Sequence, residues 1–213
     1  MDADFPEPAT LVRALINQGE IVSLSGPAGV GKSLMALDAA RSISGCQRYL
    51  GHFPTERGSV LVIDQESNPA RLQGRLRDMQ KGRSIPPRAP LRFIVTTGVY
   101  VDEDGLSRID GWLRERAPVL LVIDSFVRFH RKDENSSRDM ADVGNGLRRL
   151  VDRHGCGILL LDHVGKAADV AIENRLRGSG EKRALVAPAP GVAGAPLGRV
   201  TLYFCTLNEP SAR

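Results

Sequence analysis

A chain of 213 residues, 42% of them hydrophobic, is long enough to build one α/β domain with a substantial core. Its 29 lysines and arginines against 25 aspartates and glutamates leave a formal charge of +4, which permits contact with nucleic acid without requiring it, since no unbroken basic run is present. No apolar run approaches the roughly 20 residues of a membrane span, and Cys46, Cys156 and Cys205 lack metal-ligand spacing and read as reduced thiols.

The acidic, proline-bearing start from Met1 to Thr10 is unlike a signal peptide, so a cytoplasmic protein is expected, with no membrane role. Pro8 to Asn17 is predicted as a short helix with Leu11, Leu15 and Ile16 on one face and Gly19 as its stop. A first strand, Glu20 to Ser25, runs into a glycine-rich loop, and a helix from Leu34 to Ile43 follows. Gly45 to Gly58 reads as loop, and Ser59 to Asp64 as a strand covered on both faces. Asn68 is placed as an N-cap with Pro69 at the first helical position, ahead of a stripe of Leu72, Leu76 and Met79.

Leu91 to Val95 is a further strand, and Leu106, Ile109 and Leu113 mark a helix to about Arg116. Val119 to Ile123 is the most apolar strand and ends at Asp124-Ser125. A charged loop, Ser125 to Arg138, leads to a helix carrying Met140, Val143, Leu147 and Leu150. Gly157 to Leu161 is a fourth buried strand, closed by Asp162-His163. Strands alternating with helices of this length imply parallel βαβ units. Ala184 to Leu197 is of low complexity, and Gly198 to Thr206 alternates as one last strand.

Gly26-Pro27-Ala28-Gly29-Val30-Gly31-Lys32-Ser33, followed by Leu34, fits the pattern G-x-x-x-x-G-K-[ST] between a strand and a helix. Glycines let successive backbone N–H groups turn inward around phosphate oxygens, and the helix start adds its positive dipole end. Lys32 is expected to reach the β- and γ-phosphates of ATP and the Ser33 hydroxyl to ligate Mg2+. Asp124, an acid ending an apolar strand, fits a carboxylate beside that same ion. Glu66 and Asp64 compete, by proximity alone, for orienting and deprotonating the attacking water. His163 is placed to sense the γ-phosphate, and Arg175, Arg177 and Arg183 surround Gly178-Ser179-Gly180 as candidates for a finger.

Taken in order, Gly-Pro-Ala-Gly-Val-Gly-Lys-Ser, Val-Ile-Asp-Gln-Glu, Leu-Val-Ile-Asp-Ser-Phe-Val-Arg-Phe-His, Leu-Asp-His-Val-Gly-Lys and Arg-Gly-Ser-Gly resemble the motifs of RecA-like ATPases. Within that class the chain looks most like RepA-type hexameric replicative helicases of plasmids and phages and their AAA-family ATPase relatives, over roughly residues 8 to 180. The resemblance implies an α/β fold with a mainly parallel central sheet and helices on both faces. It makes Lys32 and Ser33 the Walker A pair, Glu66 the base, Asp124 the Walker B acid, His163 the γ-phosphate sensor and Arg177 the inter-subunit arginine. It divides the chain into an N-terminal segment with a short helix (1–19), the ATPase core (20–180) and an Ala/Pro/Gly-rich tail with one strand (181–213). In the family that tail region holds a helix and further strands, and here it departs from the pattern.

The implied function is Mg2+-dependent ATP hydrolysis by a ring, plausibly a hexamer, acting as a helicase or translocase on single-stranded DNA. Arg128, Arg131 and Lys132, or the segment around Lys166, are the basic positions that role would draw on. The rivals are an ATP-switched regulator or recombination accessory, and a remnant that binds ATP and does little else.

Overall fold

The computed structural model describes residues 9–82, 90–132, 136–163, 181–184 and 202–206. In chain order the strands are β1 (Thr10–Val12), β2 (Ile16–Asn17), β3 (Ile21–Gly26), β4 (Val60–Asp64), β5 (Leu91–Val95), β6 (Leu120–Asp124), β7 (Gly157–His163), β8 (Glu181–Ala184) and β9 (Leu202–Thr206). Among the described residues the helices are α1 (Lys32–Gly45), α2 (Pro69–Gly82), α3 (Glu103–Arg116) and α4 (Ser137–His154), with a 3-10 turn at Phe126–Arg128.

Apolar runs dictate the centre of the sheet. Every residue of β4 and β6 is buried, which only a strand covered on both faces tolerates. The order is β5-β4-β6-β7-β3-β9-β8, with the first five strands parallel and the last two antiparallel additions. Successive side chains point to opposite faces, so each strand feeds two cores. Val22, Leu24, Val62, Val122, Leu159 and Leu161 pack with α1 through Ala36, Ala39, Ala40 and Ile43. Ile21, Ile63, Leu121, Ile123 and Leu160 pack on the other face with Ile109 and Leu113 of α3 and Val143, Leu147 and Val151 of α4. Burial of each Leu, Ile or Val contributes roughly 1.5–3 kcal/mol. The α/β, mainly parallel architecture with helices on both faces is the expected one, the RecA-like P-loop arrangement.

The helices start where their caps dictate. Asn68 Oδ1 accepts from the Arg71 N–H at 2.8 Å ahead of Pro69, as expected. Asp102 caps α3 by accepting from Gly105 N–H at 2.9 Å, one turn before the apolar stripe predicts. Gly105 is required by crowding: a Cβ there would lie 1.8 Å from the Tyr100 carbonyl oxygen.

Two elements differ from expectation. The segment predicted as a helix between Pro8 and Asn17 forms the β1–β2 pair, turned at Ala14 with φ of 64°. Its backbone groups find partners elsewhere: Arg13 N–H donates to the Pro54 carbonyl at 3.0 Å, and Glu56 N–H to Leu11 at 3.2 Å. Helix nucleation in so short a stretch is unfavourable, and the pairing still buries Leu11, Val12, Leu15 and Ile16 against α1's face of the sheet. The tail contributes two strands where one was expected: β9 pairs with β3, and β8 extends the sheet beyond it.

One polar cluster ties α3 to α4. Asp110 is buried and accepts from Arg153 Nη1 at 2.9 Å, from His154 Nε2 at 2.8 Å and from Arg114 on its other oxygen. The His154 bond, with Arg153 and Arg114 alongside, holds its carboxyl below the usual range against the opposing effect of burial. Both arginines are largely exposed, so solvent screens their share. Asp110→Ala should therefore cost about 2 kcal/mol and lower the melting temperature by about 4–8 °C. The depressed carboxyl contributes fully above its unfolded value of about 4 and loses its contribution as pH falls through the lower folded value. Thermal melts of both proteins should accordingly differ most near neutrality and converge in acid.

Candidate nucleotide site

The carboxyl ends of the parallel strands all open on one edge of the sheet, where ligands of open α/β sheets sit. β3 delivers the loop from Gly26 to Ser33 there. Gly29 and Gly31 take φ of 80° and 96°, values that L side chains rarely adopt. A Cβ at either would meet nothing within 4 Å, so glycine is needed for the backbone turn and not for room. Gly31 caps α1 without any side-chain hydrogen bond, and no acid occupies the first turn. The helix start thus presents N–H groups and a positive dipole end to an anion. Pro27, Ala28 and Gly29 are exposed at the crest, with Val30 partly covered behind them and Leu34 half-buried on α1.

Lys32 is buried, and its ammonium donates to the Gly26 and Pro27 carbonyls at 2.7 and 2.8 Å. Burial lowers its pKa, opposed by Asp162, Asp124 and Glu66. Those three acids arrive from β7, β6 and the turn after β4, so the lysine stands where the strands converge. The pairing register puts Asp64 beside Asp124, and His163 beside Gly26. One strand, β7, separates the P-loop strand from that of Asp124.

The structure separates the two acids that sequence left in competition. Asp64 Oδ1 accepts from Glu66 N–H and Ser67 N–H, both at 2.8 Å, which fixes the turn. Glu66 is the acid that this turn holds out. Its Oε1 accepts from the Ser125 hydroxyl and lies 3.7 Å from Arg128 Nε. Gln65 between them is buried; its Nε2 donates to the Val99 and Arg128 carbonyls at 2.8 and 3.3 Å. Its own N–H donates to the Asp124 carbonyl at 2.7 Å, binding β4, the Val99 loop and the turn after β6 together. The Asp124–Ser125 peptide is cis.

Gln65 and Ser125 were not singled out in the sequence. The only signal was their position, each directly after a buried strand. Arg128, Arg131 and Lys132, expected as basic loop positions, are engaged within the subunit. Arg128 faces Glu66; Arg131 stacks 4.0 Å above the Tyr100 ring; Lys132 lies 3.7 and 3.8 Å from Asp139 and Asp142. His163 ends β7 beside the P-loop, as its backbone pairing shows. Arg175, Arg177 and Lys166 lie outside the described residues, and of Arg183 only the backbone, in β8, is described.

The Ser33 side chain hydrogen-bonds Asp124. A hydroxyl and a carboxylate are hard oxygen donors that suit Mg2+, which keeps several waters and takes only one or two protein oxygens beside phosphates. Among the described residues no group of three His, Cys, Asp or Glu forms a cage without the nucleotide. The donor set fits an ion that arrives with the phosphates.

Burial pushes the Asp124 carboxyl up to about 6; Asp64 and Glu66 push the same way, against the Ser33 bond and the charge of Arg75. A raised carboxyl favours the folded nucleotide-free chain while protonated, and that contribution fades as pH rises through about 6. A Mg2+–nucleotide complex held through Asp124 would need the carboxylate instead. Its affinity should hold above pH 7 and weaken by up to about tenfold per unit below 6. Titration with a non-hydrolysable ATP analogue from pH 5 to 8 checks this. Asp124→Asn should flatten the profile, leaving only the nucleotide's own phosphate titration.

A match to the family described as AAA domain covers residues 1–169, which takes in every site residue above except Arg175, Arg177 and Arg183. The matched span holds the P-loop, the turn after β4 and the end of β6 in one sheet. No helix among the described residues is long and apolar enough to cross a membrane. Sequence match and strand-end geometry agree, and the chain belongs to the AAA domain family, a P-loop ATPase type.

Proposed function

We propose that this chain is a Mg2+-dependent ATP hydrolase of the RecA-like type that works as a ring, akin to the RepA-type hexameric helicases. Its task would be translocation on single-stranded DNA in plasmid, phage or mobile-element replication. The observation that carries the hydrolytic part is the meeting of Lys32, Asp124 and Glu66 at one end of the sheet. The ordered motif resemblance supports the motor part.

In this reading the loop from Gly26 to Ser33 cradles the phosphates with its backbone N–H groups, and Lys32 exchanges carbonyl oxygens for phosphate oxygens. Ser33 and Asp124 would hold Mg2+, which supplies charge neutralisation to the phosphates when bound. Glu66, oriented by Ser125, accepts a proton from water as its oxygen attacks the γ-phosphorus. The bond to the β-γ bridging oxygen breaks, and ADP and phosphate leave. His163 senses the γ-phosphate, and Arg177 reaches the neighbouring subunit's nucleotide.

A second reading is favoured by one observation. Arg128, Arg131 and Lys132 each meet a partner within the chain, which leaves their charge partly spent, as suits an ATP-switched regulator that has no DNA strand to grip. Hydrolysis rates with and without single-stranded DNA, beside a sizing measurement, separate the two. A DNA-stimulated hexamer is expected; DNA-indifferent turnover selects the regulator; a monomer without turnover overturns both. Lys32→Ala should lose nucleotide binding. Glu66→Gln should keep it while turnover falls by about 10²–10⁴.

A further inference from the structure

We infer that Arg75 is a further phosphate-contacting residue of the same subunit, its guanidinium on α2 taking the terminal phosphate of a bound nucleoside triphosphate from the side of Glu66. The inference rests on the nucleotide reading above and adds a residue to it.

Side chains on a helix lean toward its N-terminus. Arg75 lies in the second turn of α2, so this lean carries it back toward the turn that holds Glu66. There its Nη1 donates to Ser67 Oγ at 3.3 Å, and Ser67 N–H is bound to the same Asp64 oxygen that holds Glu66. Other cations of α2 behave differently. Arg71 and Arg77 are exposed, and Lys81 pairs with Asp78 at the surface. Arg75 is half-buried, and its charge reaches Asp124.

A guanidinium has five donors. Among the described residues Arg75 spends one on a serine hydroxyl and forms no ion pair with a carboxylate. Such a cation, aimed at a group of acids yet unpaired, is available to an anion. The balance of charge in a nucleotide complex calls for a further cation such as this. Asp162, Asp124 and Glu66 gather around Lys32, with Asp64 beside Asp124, and a triphosphate adds about four more negative charges that must be met by cations. The planar fork of arginine suits a phosphate better than a point charge does. Ser67 holds that fork beside the base, which is the side from which water attacks.

The test is a comparison of nucleotides that differ only in the third phosphate. Binding of ADP and of the β,γ-imido analogue of ATP, each with Mg2+, is measured on the full chain and on Arg75→Ala, Arg75→Lys and Arg77→Ala. Arg75→Ala should weaken the analogue by about tenfold to a hundredfold and leave ADP within about twofold. Arg75→Lys should restore part of the loss, and Arg77→Ala should change neither. Equal weakening of both nucleotides, or no weakening of the analogue, overturns the inference. Melting curves identify a variant that fails to fold; Arg75→Lys then carries the test by the same selective loss, smaller in size. Because binding needs no turnover, a chain that binds the analogue through Arg75 but never hydrolyses ATP would defeat the proposed function and leave this assignment standing.

Discussion

Parallel register is the constraint on which everything else hangs. Asp64 sits beside Asp124 because Val60 sits beside Leu120, and Gly26 meets His163 because Ile21 meets Ile158. A slip of one residue in any of these strands would turn its side chains to the other face. In a strand buried on both sides, that exchanges two fitted cores for two misfitted ones, at a few kcal/mol for each displaced large side chain. The apolar runs therefore do more than hold the sheet together. They fix, to within one residue, where each strand stops being apolar, and the polar residue at each stop becomes part of the site.

The consequence is electrostatic crowding. Asp124 and Asp64 are both nearly inaccessible, and the charge of Asp64 raises the cost of ionising Asp124. The chain relieves this with local partners: two backbone N–H groups donate to Asp64, the Ser33 hydroxyl bonds Asp124, and the carbonyls of Gly26 and Pro27 accept from Lys32. In the proposed nucleotide complex phosphate oxygens would replace the loop carbonyls at Lys32 and a cation would replace the proton at Asp124, while the bonds to Asp64 stay and fix the turn.

Much of this was legible in the residues. The four buried strands, the Asn68–Pro69 helix start and the P-loop rest on local chemistry, apolar length, cap residues and glycine spacing, and they stand where that chemistry puts them. What failed to show were features decided by contacts distant in sequence. Leu11, Leu15 and Ile16 have helical spacing, but the backbone partners of Arg13 and Leu11, the Pro54 carbonyl and the Glu56 N–H, cannot be read from residues 8–17. Ser125 and Gln65 are polar residues at strand ends, a common kind of position. Only the register that carries β4 alongside β6 gives them Glu66 and the Val99 loop as partners. Asp64 and Glu66 differ for a mixed reason: Asp64 is held locally by the N–H groups of Glu66 and Ser67, while Glu66 meets Ser125 from the neighbouring strand's end.

Magnitudes also rank the contacts around Glu66. The Arg128 side chain is 59% exposed and its nitrogen stands 3.7 Å from the carboxylate; an ion pair of that kind is worth about 0–1 kcal/mol. The Ser125 donor is fully buried, and losing a buried bond to a charged acceptor costs about 1.5–3 kcal/mol. Ser125 therefore sets the direction of the carboxylate, while Arg128 is a guest that solvent, salt or a polyanion can draw away cheaply. This makes the turn after β6 a surface whose charge is only loosely spent. Arg131 keeps a stacked partner and Lys132 sits near two helix acids, each again within the range that surface contacts contribute. Internal engagement of these residues is thus too weak to forbid an outside partner, because each contact lies within the range that solvent and salt screen.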